Sequence, residues 1–102
     1  MIISLVTPSR KANKRYDAIF DDGKIISFGL RGGNTYIDHK DKQLRFNYWS
    51  RHYANKKERQ LIKNLVPSPS LLSAMLLWNS EDLDKNVEVL NSLLKIKKLT
   101  SS

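Results

Sequence analysis

The pair Asp22-Gly23 constrains this chain more than any other feature, because it separates two runs that alternate in hydrophobicity. Tyr16-Asp17-Ala18-Ile19-Phe20 precedes Asp21-Asp22-Gly23-Lys24, and Ile25-Ile26-Ser27-Phe28 follows it. Asp-Gly between β-prone runs signals a tight antiparallel hairpin, since glycine reaches φ > 0 without a Cβ clash. A hairpin alone is barely stable in water, so later residues must cover one of its faces. Ile2 to Val6, ended by Thr7-Pro8, reads as another short strand, and Ser9 to Arg15 as a polar loop. Gly29, Gly32 and Gly33 mark a second turn before Thr35-Tyr36-Ile37, a candidate strand.

From Asp38 the period lengthens. Leu44, Tyr48, Trp49, His52 and Tyr53 share one helical face, with Asp38 the expected N-cap and Asp41 completing a carboxylate capping box. Asn55 and Lys56-Lys57 are expected to end or loosen that helix, leaving Leu61, Ile62 and Leu65 to a short second piece. Pro67-Ser68-Pro69 is a firm break, and Ser68 with Pro69 after it predicts a new helix start. Its residues Leu71, Leu72, Met75, Leu76, Leu77 and Trp78 are apolar nearly all round, which puts Trp78 in the core. Ser80 is the expected cap of a last helix with Leu83, Val87, Leu90 and Leu94 on one face and Lys95, Lys97 and Lys98 in its final turns. Strands followed by helices predict an α+β fold: a small antiparallel sheet of two to three strands packed against about three C-terminal helices. The 102 residues suit one core, so 1–102 reads as a single domain, strand-rich over 1–37 and helical over 38–102.

Lys and Arg number 18 against 10 Asp and Glu, a formal charge of +8. The excess is concentrated. Residues 40–63 hold Lys40, Lys42, Arg45, Arg51, Lys56, Lys57, Arg59 and Lys63 against Asp41 and Glu58 alone. Arg10, Lys11, Lys14 and Arg15 form a second cluster. Such a field draws nucleic acid, acidic lipid or acidic protein surface, unless it is only a solubilising face. All twelve cations are candidate contacts for nucleic acid or an acidic partner. No apolar run approaches the ~20 residues of a membrane span, and the start has neither the basic region nor the cleavage site of a signal peptide. Without cysteine there is no disulfide scaffold, thiolate metal site or thiol nucleophile.

Catalytic chemistry has few carriers. His39 lies between Asp38 and Asp41, and His52 follows Arg51, but 13 positions separate the histidines and no third ligand has metal-site spacing. His39 therefore reads as a structural residue at the strand-to-helix junction and His52 as part of a helix face, with no metal, cofactor or catalytic residue assigned. Arg31-Gly32-Gly33-Asn34 reads as a turn, since it lacks the Gly-Lys-Ser/Thr of a phosphate loop. Tyr48, Trp49 and Tyr53 interleave with Arg45, Arg51 and Lys56, a mixture also found on single-strand-binding surfaces. Helical spacing favours a core role for these rings.

Several pieces stand in a fixed order along the chain: Ile26-Ser27-Phe28-Gly29, Asp38-His39-Lys40-Asp41, Arg51-His52 and Leu76-Leu77-Trp78-Asn79. Over about residues 14–98 the chain resembles a family of small basic proteins of large nucleocytoplasmic DNA viruses of algae and protists. The resemblance implies a viral protein carried in the virion and supplies no catalytic residues. The resulting expectation is a non-enzymatic minor capsid or core-associated component, bound to larger capsid or core proteins or to the genome. Its expected location is the virion, and the host cytoplasm or virus factory during assembly. The alternative is a nucleic-acid-binding protein that organises or packages viral DNA.

Overall fold

The hairpin forms where Asp22-Gly23 directs it. A computed structural model describes residues 1–100 and shows strands β1 (Ile3–Pro8), β2 (Lys14–Phe20) and β3 (Ile25–Leu30) in one antiparallel sheet, ordered β1-β2-β3. Gly23 takes φ 89° in the β2–β3 turn, closed by the Phe20 N–H donating to the Lys24 carbonyl at 2.9 Å. Register puts Val6, Ala18 and Ile26 side by side, with Tyr16 opposite Phe28. That face buries Ala18, Phe20 and Phe28. On the other face Leu5, Ile19 and Ile25 form a row, beside Thr7, Asp17 and Ser27.

Several local expectations change. β1 runs on through Thr7-Pro8, which an edge strand tolerates because proline there interrupts no second ladder. β2 begins at Lys14, so Lys14 and Arg15 belong to the sheet and not to the preceding loop. Thr35-Tyr36-Ile37 is not a strand: Tyr36–His39 forms a single helical turn, α1. The reason is capping, since the Thr35 N–H and hydroxyl both donate to Asp38 Oδ2, at 2.9 and 2.8 Å. Asp38 is thus the third residue of α1 and does not cap the long helix.

Asp41 does. Its carboxylate accepts the Gln43 and Leu44 N–H groups at the start of α2 (Lys42–Ala54). Asn55 ends α2 and caps α3 (Lys56–Lys63) by accepting the Glu58 N–H, so the lysine pair opens a helix where a break was expected. Ser68 and Pro69 start α4 (Pro69–Leu72) as expected, with the Leu71 N–H donating to Ser68 Oγ. The chain then widens into a π-helical turn over Ser73–Leu77. α5 (Leu83–Thr100) is capped by Asp82, which accepts the Asp84 and Lys85 N–H groups, and not by Ser80. The Ser80 hydroxyl is drawn instead to Asn86.

One buried cluster unites these elements: Phe28, Leu71, Leu72, Leu76, Leu77 and Leu90 are each 1% exposed or less. Burial of this kind contributes about 25 cal/mol per Å2 of apolar surface. α5 also holds the sheet edge, because Asn91 accepts the Ile3 N–H and donates to the Ile3 carbonyl. The α+β class stands, with five α-helices among the described residues where about three were expected. Only the middle of the expected α2 face is inside. Tyr48 is buried and Trp49 and His52 partly so, while Leu44 and Tyr53 stay exposed.

Candidate functional site

Arg15 joins β2 to α1 by a bidentate pair, with its two terminal nitrogens 2.7 and 2.6 Å from the Asp38 carboxylate oxygens. Hydrogen bonding to Arg15 holds the Asp38 carboxyl well below the usual carboxylate range. A lowered folded-state value adds stability above the unfolded value and loses it as pH falls. Asp38→Asn is expected to lower stability at neutral pH by about 1 kcal/mol, a modest figure because solvent screens the pair. Urea melts of both proteins at pH near 7 and near 3 provide the check. The gap should narrow in acid as the unfolded Asp38 takes up its proton, and a gap independent of pH would refute the assignment. Asp17 is held below its ordinary value in the same sense, by the Ser27 and then the Ser9 hydroxyl, each 2.6 Å away.

A column of rings runs beneath the α2–α3 junction. Tyr48 stacks on Trp78 with ring centres 4.3 Å apart and planes 4° from parallel, and meets His52 at 4.0 Å with the planes tilted by 35°. Trp78 in turn meets His39 at 5.3 Å. Trp49 Nε1 donates to the Trp78 carbonyl at 2.8 Å. Burial holds the Tyr48 phenol above its ordinary value, with the nearby Glu58 charge adding to the effect, so it remains a neutral hydroxyl. His39 Nδ1 accepts the Asp41 N–H, and its buried Nε2 has no partner among the described residues. His52 Nδ1 lies 2.5 Å from Glu58 Oε2. The ring contacts run His39 to Trp78 to Tyr48 to His52, so the two imidazoles do not converge. Among the described residues no three His, Asp or Glu groups gather as a metal site.

His52 and Glu58 form part of the wall of an open cleft of about 570 Å3. Lys14 on β2, Asn34 in the glycine loop, Arg51 on α2, and Ser70 and Ser73 also line it. Tyr48, Leu77 and Trp78 supply apolar wall. The glycine loop is the turn expected: Gly32 has φ 78°, and the Gly33 N–H donates to the Leu30 carbonyl.

The twelve candidate cations separate into several groups. Arg15 is held by Asp38. Arg45 donates to the Asn79 carbonyl and lies over the Tyr36 ring, and Arg59 donates to the Tyr53 carbonyl at the end of α2. Lys14 and Arg51 both line the cleft. Lys56, Arg59 and Lys63 form a stripe at i, i+3 and i+7 on α3, with Ile62 buried on another side and Lys57 exposed nearby. Lys40, at φ 57°, lies exposed between α1 and α2, and Lys42 borders a second hollow with Arg45 and Phe46. Arg10 and Lys11 are exposed beyond β1. Sequence reading missed the cleft because its donors come from segments far apart along the chain.

Residues 5–52 match a family of unknown function (DUF5754). The match covers most of the sheet, α1 and most of α2, and so includes Lys14, Asn34, Arg51 and His52 of the cleft but not Glu58, Ser70 or Ser73. No curated protein and no solved structure gives a significant match.

Proposed function

We propose that this chain is a non-enzymatic binding protein that takes up an anionic macromolecule on the basic surface of α2 and α3. The observation that carries this reading is the Lys56-Arg59-Lys63 stripe on a helix whose buried side is anchored by Ile62. A cationic face backed by a folded core attracts anions without fixing their sequence. In the setting implied by the resemblance, the protein is a minor virion component, and its partner is an acidic surface of a larger capsid or core protein. Viral DNA is the second reading, favoured by the Arg51 and Lys14 cations close to the same helices.

A Lys56→Gln, Lys57→Gln, Lys63→Gln variant tests the surface, leaving Arg59 and its bond to Tyr53 in place. Binding to a DNA duplex and to polyglutamate is measured across a salt series. Each lysine that contacts phosphate should lower the slope of log affinity against log salt by about one when neutralised. Loss on polyglutamate alone supports the protein-partner reading, and loss on DNA promotes the second. Unchanged binding to both would overturn the proposal.

A further inference from the structure

The cleft beside the ring column holds a set of donors that the fold does not use. Lys14, Asn34, Arg51, Ser70 and Ser73 line it, and none makes a side-chain hydrogen bond or ion pair among the described residues. Four of the six guanidinium groups are engaged by the fold: Arg15 and Arg31 bond a carboxylate and backbone carbonyls respectively, and Arg45 and Arg59 each bond a carbonyl. Of the remaining two, Arg10 is exposed beyond β1, and Arg51 lines the cleft.

These donors come from β2, the glycine loop, α2, α4 and the π-helical turn. Their approach depends on the folded chain and not on neighbouring sequence positions. A guanidinium presents a planar fork of N–H groups that matches phosphate oxygens, an ammonium adds a point charge, and hydroxyl and amide groups fill the remaining acceptor directions. Apolar walls from Tyr48, Leu77 and Trp78 lower the local dielectric and strengthen the attraction. Glu58 also lines the cleft, and its charge opposes an anion, but His52 faces that carboxylate at 2.5 Å. At about 570 Å3 the volume lies in the roughly 300–1,000 Å3 range of small-molecule sites, enough for more than a bare phosphate. Tyr48 already stacks on Trp78 and packs against His52, which leaves recognition to the phosphate.

We infer that this cleft is a phosphate-binding site, with Arg51 and Lys14 holding the phosphate of a nucleotide or of a nucleic-acid backbone and Ser70, Ser73 and Asn34 completing its hydrogen bonds. The site is separate from the α3 stripe, whose lysines do not line it.

The test titrates the whole chain with adenosine monophosphate and with a short oligothymidylate, following backbone amide resonances and calorimetric affinity. Both probes should shift the Arg51, Ser70 and Ser73 amides. Arg51→Gln should weaken binding at least about tenfold, as expected for loss of a charge-assisted contact, and Arg51→Lys should restore part of it. Glu58→Gln should tighten binding by removing the opposing charge while leaving His52 a hydrogen-bond acceptor. Competition between the probes identifies a shared site. Binding of the monophosphate alone marks a free-nucleotide site, and binding of the strand alone marks a backbone site. The α3 triple-lysine variant should leave monophosphate affinity unchanged, so loss of the stripe function and loss of the cleft function are read separately. Resonances that do not move with either probe, or equal affinity in Arg51→Gln, would overturn the inference.

Discussion

Asn86→Leu is expected to destabilise the protein by about 3–5 kcal/mol, although leucine keeps the branched shape of the side chain. Asn86 is 0% exposed and joins the end of the π-helical turn to α5. Its Nδ2 donates to the Leu76 carbonyl at 2.9 Å and the Ser80 carbonyl at 3.1 Å. Its Oδ1 accepts from the Ser80 N–H and the Ser80 hydroxyl. Leucine offers none of these bonds and would leave several groups short of a partner in a place water reaches poorly. Each such loss costs about 1–3 kcal/mol. Equilibrium urea unfolding is the measurement, and a loss under about 1 kcal/mol would show that the junction is held by packing alone.

Trp78→Ala is expected to cost about 3–5 kcal/mol, the usual range for a packed tryptophan. The ring is only partly buried, but Tyr48 lies parallel against it and His39 packs nearby. The Trp49 contact goes to the Trp78 backbone carbonyl and survives the substitution. The loss should therefore report on the ring column. Trp78→Phe, which keeps an aromatic face for Tyr48, should recover much of the stability. If Trp78→Ala unfolds within about 1 kcal/mol of the parent, the column contributes little and Trp78 is a surface residue.

Segments whose signals are local were legible in the residues. Asp22-Gly23 specifies a positive-φ turn, Ser68-Pro69 a helix start, and Leu83, Val87, Leu90 and Leu94 an apolar face of α5. Each depends on spacing or on the conformational limits of one residue type. Thr35-Tyr36-Ile37 was not legible, because three residues are too few to show a period. Strand propensity was overruled there by Thr35 and Asp38 capping a helical turn, with Arg15 holding the same carboxylate.

The excess charge of residues 40–63 was visible in the sequence, but which cations would remain exposed was not. Arg15, Arg45 and Arg59 look equivalent to Arg51 as letters, yet three bond within the fold and one lines the cleft. The sequence by itself determined the hairpin, the helical second half and the basic segment, since turn geometry, hydrophobic period and charge are properties of neighbouring residues. Tertiary structure alone decided the burial of Asn86, the hold of Asn91 on Ile3 and the placing of Lys14 and Arg51 along one cleft. Directional hydrogen bonds between distant residues leave no periodic trace, and which donors stay open depends on how the elements pack.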